Sequence, residues 1–287
     1  MIRAAYARLG TAEVGFECCT TRFTIRAMGW GADRTVERAR RTVHDLERQL
    51  NAFDPESAVA RLNDEGRVEN RHVARLVERG LDYAERTDGV FDVRRGRLEH
   101  DLKAYIRGDE PSFDAPSGTT DRATVQVDGD VVTTSAPLDL NGLAKGYIVD
   151  RAAAALDAPG RTGFVNGGGD VANPTGPVGI ESPYGEDTPL KVLDTAWNVA
   201  TSGNYRRERD GVDHIYDPSS GRVGAESELV TVVARRSCLE ADVLATTLSA
   251  LAVDDALALA DGWDGVEALV VTHGVLHETG GFENHAA

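Results

Sequence analysis

Apolar residues at helical spacing mark the clearest elements. Val36, Val43, Leu46 and Leu50 share one face of a segment that opens near Asp33, read as its N-cap, with arginines on the other face. Val73, Leu76, Val77 and Leu81 repeat the pattern over Arg71 to Thr87, and Asp88-Gly89 ends it. Two helices are therefore expected before the first glycine-bearing motif, and a further one over about Ser237 to Leu251. Strands are predicted over Arg22 to Met28 and, around the turn Asp128-Gly129-Asp130, over Thr124 to Val127 and Val131 to Thr134. Leu229 to Ala234 and Ala268 to Thr272 are β-branched runs, and His273-Gly274 turns the second into Val275 to His277. Glu110 to Gly118 holds Pro111 and Pro116 without periodicity and reads as a loop. Strands and helices interleave without regular alternation, which favours an α+β fold over a doubly wound parallel sheet.

Composition narrows the function. With 41% hydrophobic and 27% charged side chains in 287 residues, the chain is globular and long enough for a continuous core. Its formal charge of −16 argues against a general nucleic-acid binder or a binder of anionic membranes. Only three of the 31 basic side chains are lysines (Lys103, Lys145 and Lys191). Acidity with scarce lysine resembles proteins of salt-accumulating organisms, where screening removes most self-repulsion. Cys18, Cys19 and Cys238 form neither a disulfide framework nor a four-ligand zinc site. Neither a signal peptide ahead of Gly15 nor a run of about 20 apolar residues is found, so no membrane insertion and a cytoplasmic location are expected.

Several small-residue segments can carry chemistry, each with a plainer alternative. Asp139 to Asp150 places Gly142, Lys145 and Gly146 where a helix begins, which suits an anion or merely a capped surface helix. Asn166-Gly167-Gly168-Gly169-Asp170 follows a short apolar run and can turn N–H groups toward phosphates, or be an ordinary tight turn. Ala200 to Tyr205, with Ser202, Gly203 and Asn204, reads as another turn that either meets a ligand or joins two strands. His214 precedes the turn Asp217-Pro218 and is a candidate proton acceptor or an exposed strand residue. Asp242 and Thr246 lie one helical turn apart, so their oxygens can share a hard cation. Equally, the acid can serve the helix dipole while the threonine bonds back to its own backbone.

In order and spacing, these segments together resemble the ApbE family, the FAD:protein FMN transferases, from about Cys19 to Phe282. Weaker matches are Phe53 to Ser57 followed by Leu62-Asn63, and Gly89-Val90-Phe91-Asp92. The resemblance implies a single α+β domain over 16–283, with a β core flanked by helices, behind a short extension over 1–15. It implies an enzyme that splits the FAD pyrophosphate, leaves FMN on a threonine of an acceptor flavoprotein through a phosphoester, and releases AMP. Mg²⁺ would be held by Asp242, Thr246 and the Gly142 carbonyl, with His214 and Asp242 as the catalytic pair. The flavin nucleotide would touch Cys19, Phe53, Val90, Phe91, Asp92, Asp139 and Lys145, with Gly168, Gly169, Asp170, Ser202 and Gly203 as nearby walls.

The chain departs from the family pattern in three places. Cys19-Thr20-Thr21 stands where relatives carry Met-Gly-Thr, and Arg94 and Arg95 follow Phe91-Asp92 in place of a threonine and a glycine-proline stretch. The region from Glu99 to Asp121 is also short and lacks the expected tryptophan. The same recognition residues would also serve an FAD pyrophosphatase or a non-catalytic FAD-binding protein, and the Asp242–Thr246 pair favours turnover.

Overall fold

Strand β1 (Thr11–Cys18) alternates exposed and half-buried side chains and pairs antiparallel with β2 (Thr21–Met28), which buries Phe23, Ile25 and Ala27. Since β1 starts at Thr11, residues 11–15 belong to the sheet and not to an extension. The computed structural model describes residues 10–113, 122–157, 159–186, 188–203, 208–209, 212–213, 216–217, 222–225 and 227–287.

The other strands are β3 (Arg67–Glu69), β4 (Val125–Asp128), β5 (Val131–Thr134), β6 (Thr162–Gly167), β7 (Asp170–Ala172), β8 (Val178–Ile180), β9 (Lys191–Leu193), β10 (Asn198–Gly203), β11 (Leu229–Ala234), β12 (Val266–Thr272) and β13 (Val275–Glu278), beside short two-residue ribbons. Eight of them form one sheet, ordered β1-β2-β6-β7-β10-β11-β12-β13, with every neighbouring pair antiparallel. The mixed α+β class expected from the irregular alternation is the observed one. The predicted hairpin is β4–β5, which with β3 makes a separate three-stranded sheet.

Helices α1 (Ala32–Leu50), α5 (Asn141–Ala154), α6 (Cys238–Ser249) and α7 (Val253–Asp261) pack along the large sheet. Strand β11 shows how the core divides. Val230, Val232 and Ala234 enter the main core beneath these helices, while Leu229 and Val233 enter a second core with Ile180, Leu193 and Phe282 on the opposite face. Both faces are covered, so the strand reads as an unbroken apolar run.

Among the described residues four helices, not two, precede Asp139. The additional pair is α2 (Ala58–Glu65) and α4 (Gly96–Arg107), beside α1 and α3 (Arg71–Arg86). Helix α2 has only eight residues, and α4 buries just Gly96, Leu98, Leu102 and Tyr105, so neither leaves a long apolar stripe. Asp33 is not the N-cap of α1. Gly31, at φ 73°, occupies that position, and Asp33 sits in the first turn where the helix dipole favours a carboxylate.

Candidate active site

Helices α5 and α6 run antiparallel in a register set by three facing pairs, one helical turn apart. At one end the Asp150 carboxylate accepts the Cys238 and Leu239 amides at 2.8 and 3.0 Å, capping the start of α6. One turn on, the Gly146 amide donates to Asp242 Oδ2 at 2.8 Å. Another turn on, Gly142 faces Thr246: a Cβ built on Gly142 would lie 3.8 Å from the threonine methyl and 2.9 Å from Phe91 Cε2. At Gly146 a Cβ would lie 2.8 Å from both Asp242 Cβ and Leu239 Cα, closer than atoms pack. The two glycines thus let the helices approach until Asp242, Thr246 and the Gly142 backbone meet. An ideal helix gives the Gly146 N–H to the Gly142 carbonyl, so its bond to Asp242 competes for that donor.

Thr246 distinguishes a ligand position from a structural one. Its neighbour Thr247 bonds back to the Val243 carbonyl at 2.7 Å, as buried helical threonines commonly do. Among the described residues the Thr246 hydroxyl makes no such bond, and it lines a cleft of about 780 Å³ together with Asp242 and Gly142. A carboxylate, a free hydroxyl and a backbone carbonyl are oxygen donors of the kind a hard divalent cation takes, so the residues present fit Mg²⁺.

Lys145 Nζ forms an ion pair with Asp170, which is fully buried, and stands 3.7 Å from Asp242 Oδ1. Burial opposes charge on Lys145, yet Asp170 and Asp242 hold its pKa above the ordinary lysine value. Asp170 is pushed up to about 8, first by burial and then by Asp242, with Lys145 pulling the other way. Asp150 rises to about 6, again through burial, against the two amides it accepts. A carboxyl whose pKa is higher in the folded chain holds its proton more tightly there than when unfolded, so raising the pH removes stability. For Asp170 the window runs from 3.8 to about 8. Urea unfolding in EDTA at pH 5 and pH 8 should therefore show the parent losing more stability across this interval than Asp170→Asn; equal losses would refute the assignment.

The cleft is bounded by the start of β2, the β6–β7 turn, the end of β10, β8, the Val90–Val93 segment and α4. Of the residues expected to meet the ligand, Val90, Phe91, Asp92, Asp139, Lys145, Gly168, Gly169, Ser202 and Gly203 line it. Gly168 and Gly169, at φ 68° and 101°, make the tight turn between β6 and β7, and a Cβ on Gly168 would strike Thr21 Oγ1. The tight-turn reading is therefore the observed one, and the same turn lines the cleft. Ser202 and Gly203 are not a turn. They end β10, paired with Val230 and Leu229 of β11.

Three positions differ from expectation. Phe53 lies outside the cleft lining, 56% exposed, with the Arg107 guanidinium 4.4 Å over its ring. Cys19 is half-buried in the β1–β2 turn and does not line the cleft, whereas its neighbours Thr20 and Thr21 do. Asp170 lies beneath the surface and reaches the site through Lys145. Asp92 lines the cleft but is held by Arg94 (2.7 Å) and Arg95 (3.9 Å), the two arginines that depart from the family pattern, and by Arg122 (2.9 Å), which together neutralise this wall. His214 and Asn204 fall outside the described residues.

Sequence reasoning missed Lys103 and Glu99 of α4, which also line the cleft. Lys103 ion-pairs with Asp139 and lies 3.3 Å from Glu99. Burial works against its charge, but Asp139 and then Glu99 outweigh it and raise the lysine's pKa. The signal was in the composition: each of the three lysines, in a chain that otherwise uses arginine, bridges two carboxylates, the third joining Glu278 and Glu283. A compact ammonium fits between two buried carboxylates where a planar guanidinium fork does not.

Residues 19–270 match the ApbE family. The chain belongs to the ApbE family. An FAD:protein FMN transferase of Treponema pallidum is 31% identical over 266 residues, spanning 77% of this chain and 72% of that protein. One from Vibrio cholerae is 25% identical over 248 residues, spanning 77% and 74%. The crystal structure of the ApbE protein of Thermotoga maritima matches with a TM-score of 0.84 at 26% identity, covering 97% of this chain and 100% of that one. The flavinyl transferase ApbE of Pseudomonas stutzeri, at 24% identity and a TM-score of 0.78, shares the fold over 97% of this chain and 98% of its own. No helix among the described residues of this ApbE-family chain is long and apolar enough to cross a membrane.

Proposed function

We propose that this ApbE-family chain is a Mg²⁺-dependent FAD:protein FMN transferase. The observation that carries the metal assignment is the Thr246 hydroxyl, one turn from Asp242 and facing Gly142, which has no hydrogen-bond partner among the described residues. Cleft charge points the same way. Lys103 is engaged by Asp139 and Glu99, and Lys145 by Asp170 and Asp242, so both cleft lysines are taken by carboxylates before any diphosphate enters. Bound by Asp242, Thr246 and the Gly142 carbonyl, a divalent ion would offset the diphosphate's charge and stabilise the departing phosphate.

The reaction is displacement at the FMN-side phosphorus of FAD. A threonine Oγ of an acceptor flavoprotein forms the new P–O bond, the pyrophosphate P–O bond breaks, and its electron pair leaves with AMP. The hydroxyl proton needs an acceptor, and His214 is the candidate. Lys145 keeps Asp242 oriented through its ion pairs, and the β6–β7 turn and β10 end form walls that align the dinucleotide.

Incubation with FAD, Mg²⁺ and a threonine-bearing acceptor flavoprotein tests the proposal. Intact-mass analysis should show an FMN-sized gain on the acceptor, with stoichiometric AMP, and EDTA should abolish both. AMP without a mass gain would establish hydrolysis instead, and tight FAD binding with neither product would establish storage.

A further inference from the structure

A second hollow, of about 340 Å³, opens away from the cleft, between the start of α3 and the last turn of α5. Arg71 and Arg75 of α3 and Arg151 of α5 line it, together with His72 and Tyr147. In a chain with a formal charge of −16, three guanidiniums around one hollow are unusual. Among the described residues no carboxylate pairs with Arg75 or Arg151, although Glu78 and Asp130 stand at the rim. Many of the chain's other arginines find an acid, as Arg40, Arg94 and Arg236 do.

The floor is ordered. Arg71 Nε donates to His72 Nε2 at 3.2 Å, which leaves the other ring nitrogen to donate to the Tyr147 hydroxyl at 2.7 Å. His72 is thereby held neutral. Burial lowers its pKa first, then Arg71, Arg151 and Arg75, with Asp130 acting in the opposite direction. Three guanidiniums against Glu78 and Asp130 leave the hollow a formal surplus of one positive charge, around a histidine that burial and then the arginines keep uncharged. Asn70 Oδ1 already caps the His72 and Val73 amides, so attraction here comes from side chains and not from free helix-end N–H groups.

We propose that this hollow is a binding site for a small oxyanion of the phosphate class, separate from the flavin cleft. Guanidinium forks on two helices can grip a tetrahedral oxyanion from two sides. Two sources share that chemistry: free phosphate and the phosphomonoester of a nucleotide. Tyr147 and Arg151 belong to the helix that carries Lys145, and Arg151 directly follows Asp150, the cap of α6. Occupancy would therefore be felt at the α5–α6 register.

The test is calorimetric titration of the full chain with inorganic phosphate at fixed ionic strength, alongside an NMR pH titration of the His72 imidazole. One saturable phosphate per chain is expected, with the His72 pKa rising when phosphate is present because the anion offsets the arginines. Arg75→Gln/Arg151→Gln should weaken binding at least tenfold and remove the His72 response, while circular dichroism stays at the parental spectrum. Repeating the NMR titration with AMP identifies the source: a half-saturating AMP concentration below that of phosphate means a nucleotide, and the reverse means free phosphate. Absence of saturable binding, binding that survives the double substitution, or binding lost in Lys145→Met but kept in the double variant would each overturn the site.

Discussion

Asp242→Asn is expected to reduce AMP release from FAD by about a thousandfold or more, with folding intact and FAD still bound. Losing a carboxylate ligand removes several kcal/mol of charge stabilisation, and about 4 kcal/mol corresponds to three orders of magnitude in rate. The fold tolerates the change for local reasons. Asparagine has the same shape and keeps an oxygen for the Gly146 amide, which now bonds Asp242 Oδ2 at 2.8 Å. Lys145 retains Asp170 as its partner, and Asp170 loses the neighbouring charge that helps push its pKa to about 8. The thermal midpoint should therefore equal or exceed the parental one, a case of a destabilising arrangement kept for activity. AMP release, flavin fluorescence and thermal unfolding measured on one preparation separate these effects. Parental turnover in the variant would remove the metal assignment.

Lys145→Met should have the opposite profile, with stability as the main loss. The substitution leaves Asp170, with no exposed surface, and Asp242 facing each other without a cation between them. Removing one partner of a buried ion pair costs about 3–5 kcal/mol, which corresponds to a fall of roughly 10 °C in the midpoint of a chain this long. The deficit should depend on pH. Without the lysine, the folded-state pKa of Asp170 moves further above the unfolded value of 3.8, so the folded chain binds the extra proton over a wider range and stability drops as pH rises. Because Asp170 stands at about 8 in the parent, both chains keep its proton from pH 5 to 7 and the penalty is constant there; above pH 8 the parent releases it beside Lys145 while the variant still resists ionisation, so the penalty grows. Adding Asp170→Asn should recover much of the loss at pH 9 and above, as a double-mutant cycle would record. A midpoint shift independent of pH would show that Lys145 acts through packing rather than charge.

Long elements with one buried face were legible in the sequence. The stripes of α1 and α3 and the β-branched run of β11 lie where periodicity put them, because burial on a fixed face enforces the period. Short or half-exposed elements were not. Helix α4 buries little, yet it delivers Glu99 and Lys103 to the cleft. Phe53 looked like an aromatic contact for a ring ligand but lies under Arg107 at the surface, since nothing in its local sequence specifies which way it faces.

By itself the sequence determined that Asp242 and Thr246 share a helix face, because an α-helix repeats every 3.6 residues wherever it lies. It likewise determined that Gly142, Gly146 and Asp150 are spaced one turn apart. Only the tertiary structure decided that these two rows oppose each other, with Thr246 against Gly142, Asp242 against Gly146 and the Asp150 cap on α6. It also decided that Asp170, from a distant strand, shares Lys145 with Asp242. Contacts between residues nearly a hundred positions apart depend on how sheet and helices close around a common core, and no local pattern encodes that distance.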